Sequence, residues 1–555
     1  MTDARLPPPA RGASLGESVS RVLRRLTWRT PLHTLRLRGR APLQLTDVPA
    51  DPIPGRARAG RALLDGRMTH AGETVPLDVL GRSGTSPAFA EYYQSFAWLR
   101  DLAAAAPRED GAAVAEHLMT AWLDANATSI TDAWRPDLWG RRILFWSAYA
   151  PYILGGREQE YRKRVLNTLA RGARHLDASA GTAPQGLPRI AAWAGVIAAG
   201  QLIPAGDLRV AHGEAGMAAA LQLALNDDGG LTTRVPAMQL DLVELLVQLR
   251  AVYEVRARPL PASIAKPFER ALPALATVLL GDGALSSWQG GGPGARDRIA
   301  AAIAGTALRA QPLGLARAWG YQRLAAGSLV LVMDAAPPPA GALVRGGCAS
   351  TLAFELADGP QRVVVNCGGG PGLPPAFAEG LRTTAAHSTL VLSETNSTAL
   401  HPDGSLGRGV GEVALERRET PGGPFVDAAH DGYVRRFGFR HGRRLTLATD
   451  GRGLSGEDRL VPAGRKRAPA ATPFTLLFHL APGIDPVLTA AARGALLRPE
   501  AGEAWQFRAD AGTLAIEESV WIDGAGRPQG SHVLVLSGET PPDGVSVAWS
   551  FRKVR

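Results

Sequence analysis

The chain has little cysteine, little lysine and no long apolar run. Its two cysteines, Cys348 and Cys367, are too few for a disulfide framework or a cysteine-rich zinc site, and they leave either one disulfide or two buried thiols. No run reaches the roughly eighteen apolar residues of a membrane-spanning helix, so we expect no transmembrane segment. The basic, proline-rich N-terminus lacks the apolar stretch of a secretory signal, which leaves the compartment open.

The net charge of +10 is carried almost entirely by arginine, because lysine occurs only at Lys163, Lys266, Lys466 and Lys553. The guanidinium fork binds pairs of carboxylate, sulfate or phosphate oxygens, so an acidic polymer is a plausible ligand. Nucleic acid is the competing ligand, but the sequence has no zinc-finger spacing, no interleaving of basic and aromatic residues and no helix-turn-helix signature. We therefore expect no nucleic-acid partner.

The length of 555 residues is too great for one core and predicts two or three domains. Residues 1–85 resemble a loosely structured N-terminal arm with one short helix near Val19–Leu26. Residues 86–314 contain stretches with apolar residues at helical spacing, such as AAVAEHLMTAWLDANA and DLVELLVQLRAVYE, separated by Gly/Pro turns. Successive helical hairpins without strands predict an array that is either open or closed into an incomplete (α/α) toroid.

From about residue 315 the apolar period changes to that of strands. SLVLVMDA, QRVVVNCG and HVLVLSG are examples of at least eight such segments, bounded by Gly, Pro and Asp clusters. They predict an antiparallel β-sandwich over residues 315–555. Helices first and strands second indicate a multidomain, α-then-β chain, with the boundary within about 15 residues of 315.

Several segments, in this order, resemble the heparinase II/III family over roughly residues 90 to 540. They include SFAWLRDL (Ser95–Leu102), NDDGGLTTRVPA (Asn226–Ala237), LLGDGALSSWQGG (Leu279–Gly291), CASTLAFELADGPQRVVVNCGGG (Cys348–Gly370) and HDGYVRRFGFRHGRRL (His430–Leu445). The resemblance implies a toroid and a sandwich that form a cleft, and a uronate-containing acidic polysaccharide as substrate. It also implies the cell envelope or periplasm, although the lack of a signal keeps the cytoplasm open.

Lyase chemistry on a uronate needs a group that neutralises the carboxylate, a base for the C5 proton and an acid for the departing O4. Members of the family use an Asn-His pair and a Tyr from the toroid. The matching stretches here hold Pro188 and Arg189 in place of the pair, and Ala237–Met238 where the Tyr is expected. Arg189 and Arg234 remain as candidate carboxylate ligands. The alternative is that both are structural arginines at helix ends, paired with acidic residues.

His387 ends a Thr-rich turn just before the strand STLVL. The resemblance aligns it with a histidine that ligates zinc or a similar ion in metal-binding relatives, with Arg345 and Asn366 at the other ligand positions. Because arginine cannot ligate zinc, the set is incomplete, and a divalent metal (zinc or calcium) on His387 and Asn366 is only one hypothesis. His387 as a general base, as a hydrogen-bonding residue of the cleft or as a structural histidine are the others.

His430, Asp431, Tyr433 and His441 form the densest polar cluster of the sequence. On a strand, Asp431 and Tyr433 share a face, and a hairpin would return His441 beside them. Neighbouring arginines would stabilise a Tyr433 phenolate as a base. The alternative is a turn at Asp431–Gly432, with Tyr433 packed on the sandwich.

Three functions remain open. The first is a lyase that cleaves an acidic polysaccharide by β-elimination, with His387, Tyr433, Arg234 and Arg189 as its catalytic set. The second is a non-catalytic glycan-binding or envelope-assembly protein with the lyase fold, and the third is a sugar-processing enzyme with unrelated chemistry. We further expect Arg189, Arg234 and His387 to face one cleft. The sequence predicts no oligomeric state.

Overall fold

The computed structural model describes residues 35, 37–39, 42–81, 84–128, 130–156, 158–204, 206–339, 346–463, 471–489 and 493–554. The helix predicted near Val19–Leu26 and the candidate position Arg345 lie outside these ranges. No helix within them is both long enough and apolar enough to cross a membrane.

The N-terminal part is helical apart from one small hairpin of strands Arg67–His70 (β1) and Glu73–Pro76 (β2). Proline lies in the first turn of five of the described helices of this part, where its missing N–H costs nothing. The Ser86 hydroxyl satisfies another donor by accepting from Phe89 N at 3.2 Å. The helices span Ala57–Leu64 (α1), Pro87–Ser95 (α2), Trp98–Ala105 (α3), Arg108–Asn126 (α4), Pro136–Ala148 (α5), Ala150–Ile153 (α6), Gln159–Ser179 (α7), Leu187–Leu202 (α8), Asp207–Ala224 (α9), Pro236–Val255 (α10), Ala262–Thr277 (α11) and Arg296–Gly305 (α12).

Helices α5 and α8 pack backbone to backbone at the centre of the helical part. A Cβ atom on Gly140 would lie 1.9 Å from the Ala191 carbonyl oxygen, so only glycine permits this approach. On the far side of α5, the buried Arg142 guanidinium lies over the Trp122 and Trp139 rings at 4.2 and 4.4 Å. These contacts fix the central helices as one rigid layer.

Asp51, in the arm before α1, contacts helix α3, the residue between α5 and α6, and helix α10. The Asp51 carboxylate accepts from Arg100 Nε at 2.8 Å, from the Tyr149 hydroxyl at 3.1 Å and from Gln248 Nε2 at 3.4 Å. Arg100 also lies 3.8 Å from Glu244 of α10. A polar network thereby connects the arm to three separate parts of the helical array.

The C-terminal part contains two antiparallel sheets of eight strands. The first sheet has the order β13-β14-β15-β18-β11-β10-β9-β8. The second has the order β16-β17-β12-β6-β5-β4-β3, with β7 paired to β12. The strands span Tyr321–Ala326 (β3), Leu329–Asp334 (β4), Phe354–Asp358 (β5), Gln361–Val365 (β6), Leu390–Leu392 (β7), Val413–Thr420 (β8), Gly423–His430 (β9), Phe439–Leu447 (β10), Gly453–Pro462 (β11), Thr472–Leu480 (β12), Ile484–Leu488 (β13), Gly494–Pro499 (β14), Trp505–Ala509 (β15), Thr513–Ile522 (β16), Pro528–Thr540 (β17) and Val545–Lys553 (β18); short helices span Pro375–Gly380 (α13) and Val434–Phe437 (α14).

Strand β4 of the second sheet is buried on both faces. Leu329, Leu331 and Met333 point into the sandwich core, whereas Val330 and Val332 pack into the core of the helices. Side chains alternate between the faces of a strand, so a strand covered on both sides is apolar throughout. The architecture is therefore the predicted helical toroid followed by an antiparallel β-sandwich, with α12 ending at Gly305 and β3 beginning at Tyr321.

Candidate functional site

Arg234 lies at the boundary of the two parts, in the turn that leads into α10. Its Nη2 donates to Asp334 at 2.5 Å, its Nε to the Trp319 carbonyl at 2.8 Å and its Nη1 to the Pro337 carbonyl at 2.7 Å. Burial lowers the pKa of the guanidinium, but Asp334 outweighs burial and raises it, so the charge is retained. The predicted role as a ligand for a substrate carboxylate does not fit this position, because every guanidinium nitrogen is engaged within the protein.

Asp334 extends this contact into a buried network. Its second carboxylate oxygen accepts from the Ser350 hydroxyl at 2.7 Å, and Gln289 Nε2 donates to that same hydroxyl at 3.1 Å. The Tyr321 hydroxyl donates to the Arg234 carbonyl at 2.6 Å. Toroid loops and sheet residues thus share one set of hydrogen bonds, which aligns the helices with the second sheet.

A second buried cluster docks the loop after α11 onto the same sheet. Arg362 donates to both carboxylate oxygens of Asp282, at 2.9 and 3.2 Å, and lies 3.3 Å from Glu355. Glu355 also accepts from Ser287 N at 3.0 Å and from Asn366 N at 3.1 Å. Burial raises the pKa of Glu355 to about 7, although Arg362 and these donors oppose the shift. Glu355 therefore titrates near neutral pH.

His387 is buried on the sandwich side of this boundary. Its Nδ1 lies 2.7 Å from the Thr383 carbonyl, so the neutral ring carries its proton on Nδ1 and keeps a lone pair on Nε2. Burial lowers the pKa of His387 to about 4, against the opposing effects of Thr383 and the nearby Asp334 carboxylate. His387 is thus neutral at pH 7.

Asn366 lies near His387, but its side chain is committed to the fold. Its Oδ1 accepts from Ser388 N at 3.0 Å, and its Nδ2 donates to Glu355 at 3.2 Å. Within the described ranges, no group of three or more His, Cys, Asp or Glu side chains is arranged to hold a metal ion. The described residues around His387 and Asn366 therefore do not fit a zinc or calcium site.

Tyr433 does not lie on a strand, because β9 ends at His430 and a turn leads into α14. Its side chain is 1% exposed in the sandwich core, and its hydroxyl donates to the Leu390 carbonyl at 2.9 Å. Burial raises the pKa of the phenol. The predicted role of Tyr433 as a base does not fit this position, since the hydroxyl is inside the sandwich; the alternative of a turn at Asp431–Gly432 matches the structure.

His430 and His441 pair across β9 and β10, whereas the sequence predicted that a hairpin returns His441 beside Asp431 and Tyr433. The two histidines are buried and do not form an open site. His430 Nδ1 accepts from Gly432 N at 3.1 Å, so its Nε2 carries the proton and donates to His441 Nδ1 at 3.2 Å. His441 Nε2 then donates to Asp458 at 2.7 Å. Burial lowers the pKa of both histidines, and Arg443 holds the pKa of Asp458 at about 2 against burial. This row of hydrogen bonds from His430 through His441 to Asp458 lies inside the sandwich and stabilises it.

Arg189 lies in the first turn of α8, and its Nε donates to the Ala183 carbonyl at 2.9 Å. This bond anchors the side chain to the preceding turn of the toroid. Arg234 contacts Asp334 directly, and the Asp334 carboxylate opposes the lowering of the pKa of His387. The placement of Arg189 beside them stays a prediction.

Comparison with known proteins identifies this architecture. Residues 309–550 match the family model described as heparinase II/III-like, C-terminal. The solved structure of heparinase III covers 99% of this chain and 93% of its own length, with a TM-score of 0.70 and 13% identity.

The chain has the heparinase II/III fold.

Two other proteins align with most of this chain. A mutant of heparan sulfate lyase HepC from Pedobacter heparinus covers 97% of this chain and 88% of its own, with a TM-score of 0.61 and 13% identity. FtsZ-localized protein C from Caulobacter vibrioides is 28% identical over 548 residues, which cover 94% of this chain and 92% of that protein. The solved structures show the fold alone, since their identities are low.

The sequence did not indicate several buried acidic residues that hold this fold together. Asp334, Glu355 and Asp458 lie within strand-like segments and are nevertheless buried. For Asp334 and Glu355 the available signal was a carboxylate within an apolar strand, because burying a carboxylate requires a partner. The motifs that carry the family resemblance in the toroid, around Arg234 and Asp282, are loops that hold the two parts together.

Proposed function

We propose that this chain is a non-catalytic protein of cell-envelope assembly that keeps the heparinase II/III fold and binds an acidic glycan. The observation that carries the proposal is Arg234, whose guanidinium is fully engaged by Asp334 and three backbone carbonyls. The arginine best placed between toroid and sheet therefore has no free fork for a substrate carboxylate.

The other parts of a lyase site support the same proposal. Tyr433 lies inside the sandwich, and the toroid positions that the resemblance assigns to Asn, His and Tyr hold Pro188, Arg189 and Ala237. Arginine stays protonated at neutral pH and is a poor base. The net charge of +10 still favours an acidic polymer as ligand.

The relative of nearly equal length supports the envelope role. FtsZ-localized protein C aligns over 94% of this chain, so both large parts are covered by the match. That protein is named for its localisation with FtsZ, and we extend this association to the present chain as part of the proposal. The place of action would then be the envelope at the site where FtsZ assembles.

The test is incubation of the purified chain with a panel of uronate polysaccharides. We expect binding that weakens as salt increases, without the ultraviolet absorbance of unsaturated uronate ends. Formation of such ends by native but not heat-denatured protein would overturn the non-catalytic proposal. Co-sedimentation with polymerised FtsZ tests the envelope role separately, and absence of the chain from the pellet would contradict that part alone.

The second candidate function is a lyase that uses His387. The observation in its favour is the neutral imidazole at the domain boundary, with Nε2 able to accept a proton. If unsaturated ends form, His387→Ala is expected to lower the rate by roughly a hundredfold, the usual scale for a positioned base. His401→Ala, at an exposed histidine of the sandwich, is the matched control. Equal rates in both variants would exclude His387 as the base.

A further inference from the structure

Cys367, directly after β6, lies against a histidine of the neighbouring strand β12. Its Sγ is 3.6 Å from His479 Nδ1 and 3.9 Å from the Ser519 hydroxyl of β16. Cys367 and His479 are 4% and 5% exposed, whereas Ser519 is half-buried and forms the rim of the cluster. A nucleophile and a potential base are therefore held together just below the surface of the second sheet.

The hydrogen bonds of His479 determine which of its nitrogens faces the thiol. Its Nε2 lies 2.9 Å from the Ala385 carbonyl, which can only accept, so Nε2 carries a proton. Nδ1 of the neutral ring then holds the lone pair, 2.8 Å from the Ser519 hydroxyl and within reach of the Cys367 thiol. The ring is oriented as a base by a backbone carbonyl, which is the arrangement of an activated nucleophile.

The electrostatics of the pair agree with this geometry. Burial raises the pKa of Cys367, but the charge of His479 and the hydrogen bonds outweigh burial, so the pKa is lowered overall. Burial lowers the pKa of His479, and Cys367 outweighs it in the opposite direction. His387 is the neighbouring titratable ring, and it is neutral at pH 7. The thiolate–imidazolium form is thus stabilised.

Cys348 provides an internal contrast. It is also a buried free thiol, but its Sγ donates to the Gly346 carbonyl at 3.7 Å. A carbonyl oxygen only accepts hydrogen bonds and therefore cannot stabilise a thiolate. Burial raises the pKa of Cys348 to about 12. The chain therefore contains one activated and one inert thiol.

We propose that Cys367 is a modification site for hydroperoxides, activated by transfer of its thiol proton to His479. The Cys367 thiolate attacks the terminal oxygen of the hydroperoxide, so that an S–O bond forms and the O–O bond breaks. The departing alkoxide or hydroxide takes the proton from His479 Nδ1 and leaves as an alcohol or water. Sulfur is oxidised to a sulfenic acid, and the hydroperoxide is reduced.

The experiment exposes the full chain to hydrogen peroxide near pH 7 with dimedone, which traps sulfenic acids, and quantifies both cysteine peptides by mass spectrometry. We expect trapping at Cys367 at least about tenfold faster than at Cys348. His479→Gln should lower the Cys367 rate by about tenfold or more, and His401→Gln should leave it unchanged. Equal rates at the two cysteines, or an unchanged rate in His479→Gln, would overturn the proposal.

A second measurement does not depend on the folding of the His479 variant. The rate of alkylation by iodoacetamide follows the thiolate fraction, which rises about tenfold per pH unit below the pKa of a thiol. Between about pH 6.5 and pH 8.5 we expect a much shallower rise at Cys367 than at Cys348 in the wild-type chain. Parallel pH profiles for the two cysteines would contradict activation by His479.

Discussion

Arg234→Ala is expected to destabilise the chain strongly, because it leaves Asp334 buried and without its counter-charge. The Arg234 and Asp334 side chains are 6% and 1% exposed, and the pair also connects the Trp319, Ala336 and Pro337 carbonyls. Removing one member of a buried ion pair costs about 3–5 kcal/mol. Ser350 still donates to Asp334, which places the expected loss toward the lower end of that range.

The backbone of Arg234 adds a second, sharper expectation. Its φ is 56°, in the left-handed region, where a Cβ atom costs about 1 kcal/mol and glycine has no such cost. Arg234→Gly is therefore expected to be about 1 kcal/mol less destabilising than Arg234→Ala. At ordinary helix or strand positions the order of these two variants is the reverse.

The assay is urea unfolding followed by tryptophan fluorescence, since Trp288 and Trp319 lie at the boundary. The matched control is Arg452→Ala, which removes an exposed ion pair with Glu503 and should cost about 0–1 kcal/mol. The reasoning fails if Arg234→Ala costs no more than the control. It also fails if Arg234→Ala abolishes glycan binding while stability is retained, because Arg234 would then be a ligand residue.

Two further predictions concern Tyr433 and Glu355. Tyr433→Phe should lower the free energy of unfolding by about 1 kcal/mol, through loss of the hydrogen bond to Leu390, and should leave glycan binding unchanged in titration calorimetry. For Glu355 the folded-state pKa of about 7 exceeds the ordinary 4.5, so the folded state holds the proton more tightly and stability is lost as pH rises from about 4.5 to about 7. Glu355→Gln should remove this decrease from the pH dependence of the urea midpoint, and an identical pH dependence in both proteins would count against the raised pKa.

The order and type of the elements could be predicted from the sequence because apolar period is a local property. The segment SLVLVMDA predicted strand β4, and the segment DLVELLVQLRAVYE predicted helix α10. Pairings between distant residues are not local. Arg234 and Asp334 are one hundred positions apart, and nothing in either segment indicates the other. An arginine meant for a ligand and one meant for a buried carboxylate therefore have the same sequence signature.

The polar cluster around Tyr433 shows a different limit. The hairpin that returns His441 toward the end of β9 could be predicted from the sequence, but its register, which pairs His441 with His430, could not. The exposure of the cluster could not, since it depends on which face of the first sheet is covered. Val434 N donates to the Asp431 carbonyl at 2.9 Å in a turn after β9, and this turn takes Tyr433 off the strand and into the core. The Asp431 carboxylate connects the turn to Gly411 N and Glu412 N. The turn after β9 therefore determines that Tyr433 is buried in the sandwich core.

The second sheet contributes to two cores at once, with alternate residues of β4 facing the helices and the other sheet. A cut in the segment between Gly305 and Tyr321 would strip the apolar outer face of this sheet of its helical cover, and it would equally leave Trp288 without Tyr321. Neither fragment would then be expected to remain soluble at ordinary concentrations. We therefore expect the two parts to fold as one unit. A toroid from another protein could replace this one only if its helices covered the same apolar residues of the second sheet, such as Val330 and Val332.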